Sequence, residues 1–355
     1  MSLRIQGIKG GEFWGIVVVS WPVAYSRVLG VADSWMGSKV KRVLVVHYSQ
    51  TGQLNDVLSA TLDPLVCSPD VDVVFECLKP VEPYPFPWPF LTFFDAFPET
   101  VFDKPSPIAP LSVQEDADFD LVILAYQVWF LSPSQPITAF LQTREARTLL
   151  KGKPVITLIA CRNMWLMAQE KMKENLAGLG ASLIDNVVVT DPSHSAATFY
   201  STPVWLLTGN KGPYWFGLIP KAGIQPEQLV DLNRFGRAML AKLPKREKTD
   251  FSPMLEGLGA VKINHRLIAS ERVALRSFRL WGRLLQACGA PGARLRKIVL
   301  LFYFTFLLTL ILTVVPVTAV IKWLLTPLMR DRIKAQCAYY AAPSGESTEF
   351  LEKYK

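Results

Sequence analysis

Acidic residues are in short supply. The chain has 30 Asp and Glu against 38 Lys and Arg, a formal net charge of +8. Most of the excess lies after residue 241 and flanks a long apolar run. That placement argues against a nucleic-acid arm and for attraction to anionic lipid. Histidine is rarer still, with 3 widely separated residues in 355. The 5 cysteines, Cys67, Cys77, Cys161, Cys288 and Cys337, form no C-x-x-C pair. A zinc or iron–sulfur site is therefore not expected, and a reducing compartment is. The chain also lacks the G-x-x-x-x-G-K-[ST] nucleotide loop, the G-x-G-x-x-G dinucleotide loop and the G-x-S-x-G nucleophile elbow.

What is present is an alternation of strands and helices from residue 40 onward. Strands are expected at 40–48, 71–78, 118–126, 153–160 and 183–190, and helices at 52–65, 134–150, 163–180 and 225–243. The strands are continuous apolar runs without the alternation of a half-exposed sheet, so both faces are buried. This pattern predicts an α/β fold with a doubly wound five-stranded parallel sheet of order 2-1-3-4-5. Two stretches interrupt it. Residues 79–111 are rich in Pro and aromatics, which forbid a regular helix through much of the segment. Residues 191–224 form a second long connection. Loops of this length in a compact domain are usually functional or disordered, and the aromatic content opposes disorder.

Residues 1–38 stand apart. An apolar stretch from Phe13 to Ser26 is interrupted by Pro22 and preceded by Arg4 and Lys9. It admits a secretory signal, an N-terminal anchor, or an over-long start with the true one at Met36.

The first strand leaves through Ser49-Gln50-Thr51-Gly52-Gln53. A polar loop between strand one and helix one lies at the carboxyl edge of the sheet, where open α/β folds bind ligands. Its N–H groups and the helix N-terminus form an anion site. Ser49 and Thr51 add hydroxyls, and Gly52 permits a tight turn. With no lysine following, the loop suits one phosphate of a mononucleotide.

"YSQTGQ" resembles the flavodoxin phosphate loop, S/T-x-T-G-x-T, matching at Ser49, Thr51 and Gly52. Leu54 stands where that family has Thr; Asn55 is a candidate for the missing hydrogen bond. The resemblance implies non-covalent FMN held by three loops at one sheet edge. The second is Gln127-Val128-Trp129-Phe130 and the residues that follow, with Trp129 and Phe130 to stack or pack on the ring. The third is Cys161-Arg162-Asn163-Met164, offering backbone groups to the ring edge. More narrowly, "HYSQTGQL", "FFDAFPE", "YQVWFLSPS" and "NMWLMAQEKM" resemble the bacterial dialkylresorcinol condensing enzymes, flavodoxin-like proteins associated with lipidic aromatic compounds. That name implies a condensation, whereas the fold implies flavin redox chemistry. His194 and Tyr200 are the candidate proton donors to a reduced quinone or enone oxygen. Cys161 as a nucleophile has no locally implied base.

Residues 298–321 carry no charge. As a helix they measure about 36 Å, against about 30 Å for a bilayer core. Before them, Arg272, Arg276, Arg279 and Arg283 line one face of a basic amphipathic helix. Cations flank both ends of the apolar run, so the positive-inside rule gives little asymmetry. A single tilted span and a re-entrant hairpin bent at Pro316 both fit.

The expected organisation is an N-terminal extension (1–38), an FMN-binding domain (39–245, with inserts 79–111 and 191–224), and a linker with a basic amphipathic helix (246–297). A hydrophobic membrane segment (298–329) and a polar tail (330–355) follow. The expected function is a membrane-anchored FMN-dependent oxidoreductase, its domain on the cytoplasmic side of the inner membrane. Its partners would be a hydrophobic small molecule and membrane lipid, with NAD(P)H as a candidate electron donor and no nucleic acid. A condensing or cyclising enzyme of lipid-polyketide synthesis and a flavin-free membrane scaffold are the alternatives.

Overall fold

A computed structural model describes residues 40–354. The three readings of residues 1–38 lie outside the described residues. The elements in chain order are β1 (Lys41–His47), α1 (Gln53–Val66), β2 (Val71–Cys77), α2 (Phe90–Asp95), α3 (Phe97–Val101) and β3 (Leu121–Tyr126). Next come β4 (Val128–Trp129), β5 (Ser132–Pro133), α4 (Gln135–Leu141), α5 (Arg144–Leu150), β6 (Pro154–Cys161), α6 (Leu166–Gly178) and β7 (Ser182–Thr190). The last are α7 (Ser195–Thr208), α8 (Pro226–Val230), α9 (Asn233–Lys242), α10 (His265–Ala287), α11 (Arg294–Leu325) and α12 (Arg330–Ala341).

Five strands form one parallel sheet in the order β2-β1-β3-β6-β7. Setting aside the two-residue strands β4 and β5, which pair as a hairpin, this is the flavodoxin-like order 2-1-3-4-5. Successive strand side chains point to opposite faces, and here each face meets a core. Val43 and Val45 of β1 join α1 and α9 on one side. Leu44 and Val46 join α4, α5 and α6 on the other. That two-sided burial is why the strands show no polar alternation. Helix α9 packs closely on α1: a Cβ on Gly236 would lie 2.2 Å from the Thr61 carbonyl oxygen.

Two expected helices and the two long connections differ in detail. The 134–150 segment is two helices, because Thr143 Oγ1 accepts the Ala146 N–H and starts a new N-terminus. The 225–243 segment is also two, α8 and α9. The 191–224 connection contains α7, which runs through Pro203. The 79–111 insert is irregular apart from the short α2 and α3, as its prolines require.

After α9 the chain stays on the domain. Met254, Leu255 and Leu258 are buried in the sheet core. Asp185 of β7 accepts the N–H groups of Met254 at 2.6 Å and Leu255 at 3.1 Å. Helix α10 brings Glu271 to the start of α6, where it accepts the Met167 N–H at 3.0 Å. Helix α11 is continuous through Pro316, is 32 residues long, and is long and apolar enough to cross a membrane. The chain then returns. Tyr340 is buried, and Ser344 Oγ donates to Asp185 Oδ1 at 2.8 Å while accepting the Asn186 N–H at 2.7 Å.

Candidate functional site at the carboxyl edge of the sheet

The loop between β1 and α1 is open at its tip. Gly52 is the N-cap of α1 with φ +82°, a left-handed conformation that favours glycine. Lacking a side chain, it leaves the first amides of α1 without a side-chain cap. Nothing lies within 4 Å of where its Cβ would be. Ser49 Oγ is buried with no hydrogen-bond partner. An uncapped helix start beside an unpartnered buried hydroxyl suits a small anion. Thr51 sits at the turn, half-buried. Leu54, the departure from the flavodoxin pattern, is fully buried in the core with α1 and α9. That position serves packing. Asn55 Oδ1 is buried and unpartnered in the same first turn.

Gln50 ties this loop to its neighbours. Its N–H donates to Gln127 Oε1 at 3.1 Å, joining the first and second loops. Its side-chain amide donates to the carbonyls of Tyr84 at 3.2 Å and Pro85 at 2.8 Å, and its Oε1 accepts from Tyr48. The Pro-rich insert therefore closes against the loop between β1 and α1.

The second loop splits its two aromatics. Val128 and Trp129 pair with Pro133 and Ser132 across a turn whose central residues, Phe130 (φ +49°) and Leu131 (φ +59°), are both left-handed. This is the conformation of a tight two-residue hairpin, here without glycine. Trp129 packs edge-on against Tyr48 (6.2 Å between ring centroids), Tyr84 (5.0 Å) and Trp88 (5.8 Å). Phe130 turns instead toward Phe93, Phe97 and Phe278.

The third loop, Cys161 to Met164, enters α6 with Met164 left-handed at φ +51°. Burial pushes the Cys161 thiol well above its usual range, with Glu271 adding to the effect. Arg162 turns toward α7: its Nε donates to Thr198 Oγ1 at 3.0 Å, and its guanidinium lies over the Phe199 ring. Burial lowers the Arg162 pKa, opposed by the Asp191 carboxylate. Asn163 is half-buried.

His194 precedes α7 and is exposed; its carbonyl accepts the Thr198 N–H. Tyr200, also exposed, rests edge-on against Tyr214 and Trp215.

Several residues of this region come from segments distant in sequence. Tyr84 and Trp88 come from the insert. Asp191 accepts the N–H groups of Ser193 and Gly223 and so holds the 209–224 loop beside β7. Lys211 and Lys221 line a cleft of about 130 Å³ with Gln53, Asp56 and Gln225, next to the start of α1. Burial lowers the Lys211 pKa, with Asp56 opposing and Lys221 reinforcing. These cations are more than 150 residues from the loop they approach, so nothing local in the sequence connects them. Among the described residues there is no His/Cys/Asp/Glu cluster able to hold a metal.

No protein-family model and no curated protein matches the chain. Solved structures do. A flavoprotein from Lactobacillus acidophilus NCFM, determined in complex with FMN, is 16% identical, covers 42% of this chain and 93% of its own, and has a TM-score of 0.34. The apo-form of the flavoprotein from the same organism is 15% identical over 43% of this chain and 95% of its own, with a TM-score of 0.30. The Trp repressor binding protein from Bacillus subtilis is 11% identical over 47% and 98%, with a TM-score of 0.26. At such similarity the assignment of the fold rests on this chain's own strand order.

Proposed function

We propose that the chain binds FMN at the carboxyl edge of its sheet and is a membrane-associated oxidoreductase for a hydrophobic substrate. The observation that carries this reading is the unpartnered, buried Ser49 hydroxyl beside the uncapped start of α1. An anion there would accept from Ser49, from Thr51 and from the first amides of α1. Lys211 and Lys221 would add positive potential from the neighbouring loop. Gln127, Trp129 and the backbone of Cys161 to Met164 would hold the ring. FMN, when bound, supplies hydride or single-electron chemistry.

The remaining work falls to this chain's own residues. Tyr48, Tyr84, Trp88 and Trp129 form a cluster that excludes water from the mouth of the second loop. The same insert continues through Phe93 to Phe90 and Phe94, which pack on Phe304 of α11. This apolar continuity from the site to α11 supports a lipid-like quinone or enone as substrate. His194 and Tyr200 are the proposed proton sources and NAD(P)H the proposed electron donor. The raised thiol pKa of Cys161 speaks against nucleophilic condensation at this edge.

The test is a titration of the purified full chain with FMN and with riboflavin. FMN should bind more tightly, and Ser49→Ala should weaken FMN by about 10- to 100-fold, from a charge-assisted hydrogen bond of about 1.5–3 kcal/mol, while sparing riboflavin. Equal affinity for the two flavins would contradict the phosphate-site assignment.

A further inference from the structure

We infer that α11 does not cross the membrane: it lies along the domain with both ends on one side, and its outer faces are buried in a single leaflet. The inference rests on reading α11 as a membrane helix and adds its topology.

The first end is fixed by Arg296. Its side chain is 1% exposed, donates from Nε to Asp95 Oδ1 at 2.6 Å, and meets Glu99 through both terminal nitrogens at 2.9 and 2.6 Å. Asp95 also accepts the Gly292 N–H. Along the helix, Tyr303 and Phe306 pack on Trp281 of α10, and near the other end Lys322 Nζ donates to Ser270 Oγ at 2.6 Å. Helices α10 and α11 thus run side by side, and α10 is itself held to the domain by Glu271.

The second end is fixed by the return of the chain. Arg272 of α10 donates to the Tyr340 hydroxyl, and Ser344 is fully buried between Asp185 and Asn186 of β7. Glu346 accepts the Ile263 N–H, and the Ser347 carbonyl accepts the Gly259 N–H. A crossing α11 would leave residue 326 across the bilayer from these partners. The link back from residue 326 to Tyr340 spans 14 positions and carries Arg330, Asp331, Arg332 and Lys334. As a helix it reaches about 21 Å, short of a hydrocarbon core of about 30 Å, and its charges oppose passage.

The uncovered faces of α11 suit lipid. Phe302 (69% exposed), Leu312 (67%) and Trp323 (70%) stand away from the domain. Thr305, Thr309 and Thr313 each donate their hydroxyl to the carbonyl four residues earlier, so they need no water. Arg294, Lys297 and Lys322 flank the apolar stretch, where anionic headgroups would meet them.

The test uses the full chain in sealed membrane vesicles. Retention after a high-salt wash checks the membrane reading alone; release of the chain would sink that reading and this topology with it. In retained protein carrying Glu349→Cys, a membrane-impermeant maleimide is applied from one side, and labelling is mapped at position 349 and at the exposed native Cys67 of the sheet domain. The topology predicts that both are labelled together or protected together. Labelling of one and protection of the other, in washed membranes, would overturn the topology and leave the anchor standing. A second variant, Ser270→Cys with Lys322→Cys, should be joined by a bis-maleimide in the same membranes. Failure to join them, with each cysteine singly labelled, would show that α11 has left α10.

Discussion

Arg296 and Asp95 lie 201 positions apart in sequence, yet the guanidinium of one is closed on the carboxylate of the other at 2.6 Å with almost no solvent access. Glu99 completes the triad. Removing one partner of a buried ion pair strands the other charge and costs about 3–5 kcal/mol. Arg296→Ala should therefore lower stability by that order, and Asp95→Asn by less, since Glu99 still pairs with the arginine. Denaturant unfolding of the detergent-solubilised chain reads both. Equal, small losses would show that the triad is not closed in solution.

Two buried carboxyls set a pH dependence of the same sign. Burial raises Glu271 to about 7, against the hydrogen bonds it accepts from Met167 and Leu166. Burial likewise raises Asp185 to about 6. Between about pH 4 and 7 the folded chain therefore retains protons that the unfolded chain releases, and stability falls as pH rises through this window. Each unit of raised pKa corresponds to about 1.4 kcal/mol. Glu271→Gln keeps an acceptor for the Met167 N–H and should flatten the slope at its upper end. A wild-type midpoint that is level or rises from pH 5 to 7, in urea melts, would contradict both assignments.

Ser344→Ala removes the acceptor of the Asn186 N–H and a donor to Asp185 in one step. Leaving such groups buried and unpaired costs about 1–3 kcal/mol each. Loss of stability should come with faster amide exchange in residues 342–354, which the serine holds to β7. Unchanged exchange there would mean that the docking does not depend on this serine.

Gly236→Ala would place a methyl carbon 2.2 Å from the Thr61 carbonyl oxygen in α1. Overpacking of this kind costs about 1–3 kcal/mol. The thermal midpoint of the variant should drop accordingly; a rise, as expected from helix propensity alone, would show that α1 and α9 are less closely packed.

The sheet was legible because its signal is local. Val43 to Val46 and Leu121 to Tyr126 are buried on both faces, and a continuous apolar run records that directly. The proposed anion loop could be picked out for the same reason, as Ser49 to Gly52 adjoin in sequence. What could not be read is built from long-range pairs. Arg296 looks like one more flanking cation until Asp95 and Glu99 are placed beside it. Ser344 sits in a tail whose composition is polar, and Lys211 nears the start of α1 only through the fold of the 209–224 loop. The breaks at Thr143 and between α8 and α9 fall inside patterns that stay helical in period, so only a local cap or a tertiary contact marks them. Phe130 and Leu131 form a left-handed turn with residues that carry no turn signal.

The most direct test of the central claim is the visible absorption spectrum of the purified full chain, with its released cofactor identified. Bands of oxidised flavin and release of FMN are expected. A colourless protein that also fails to take up added FMN would contradict that claim.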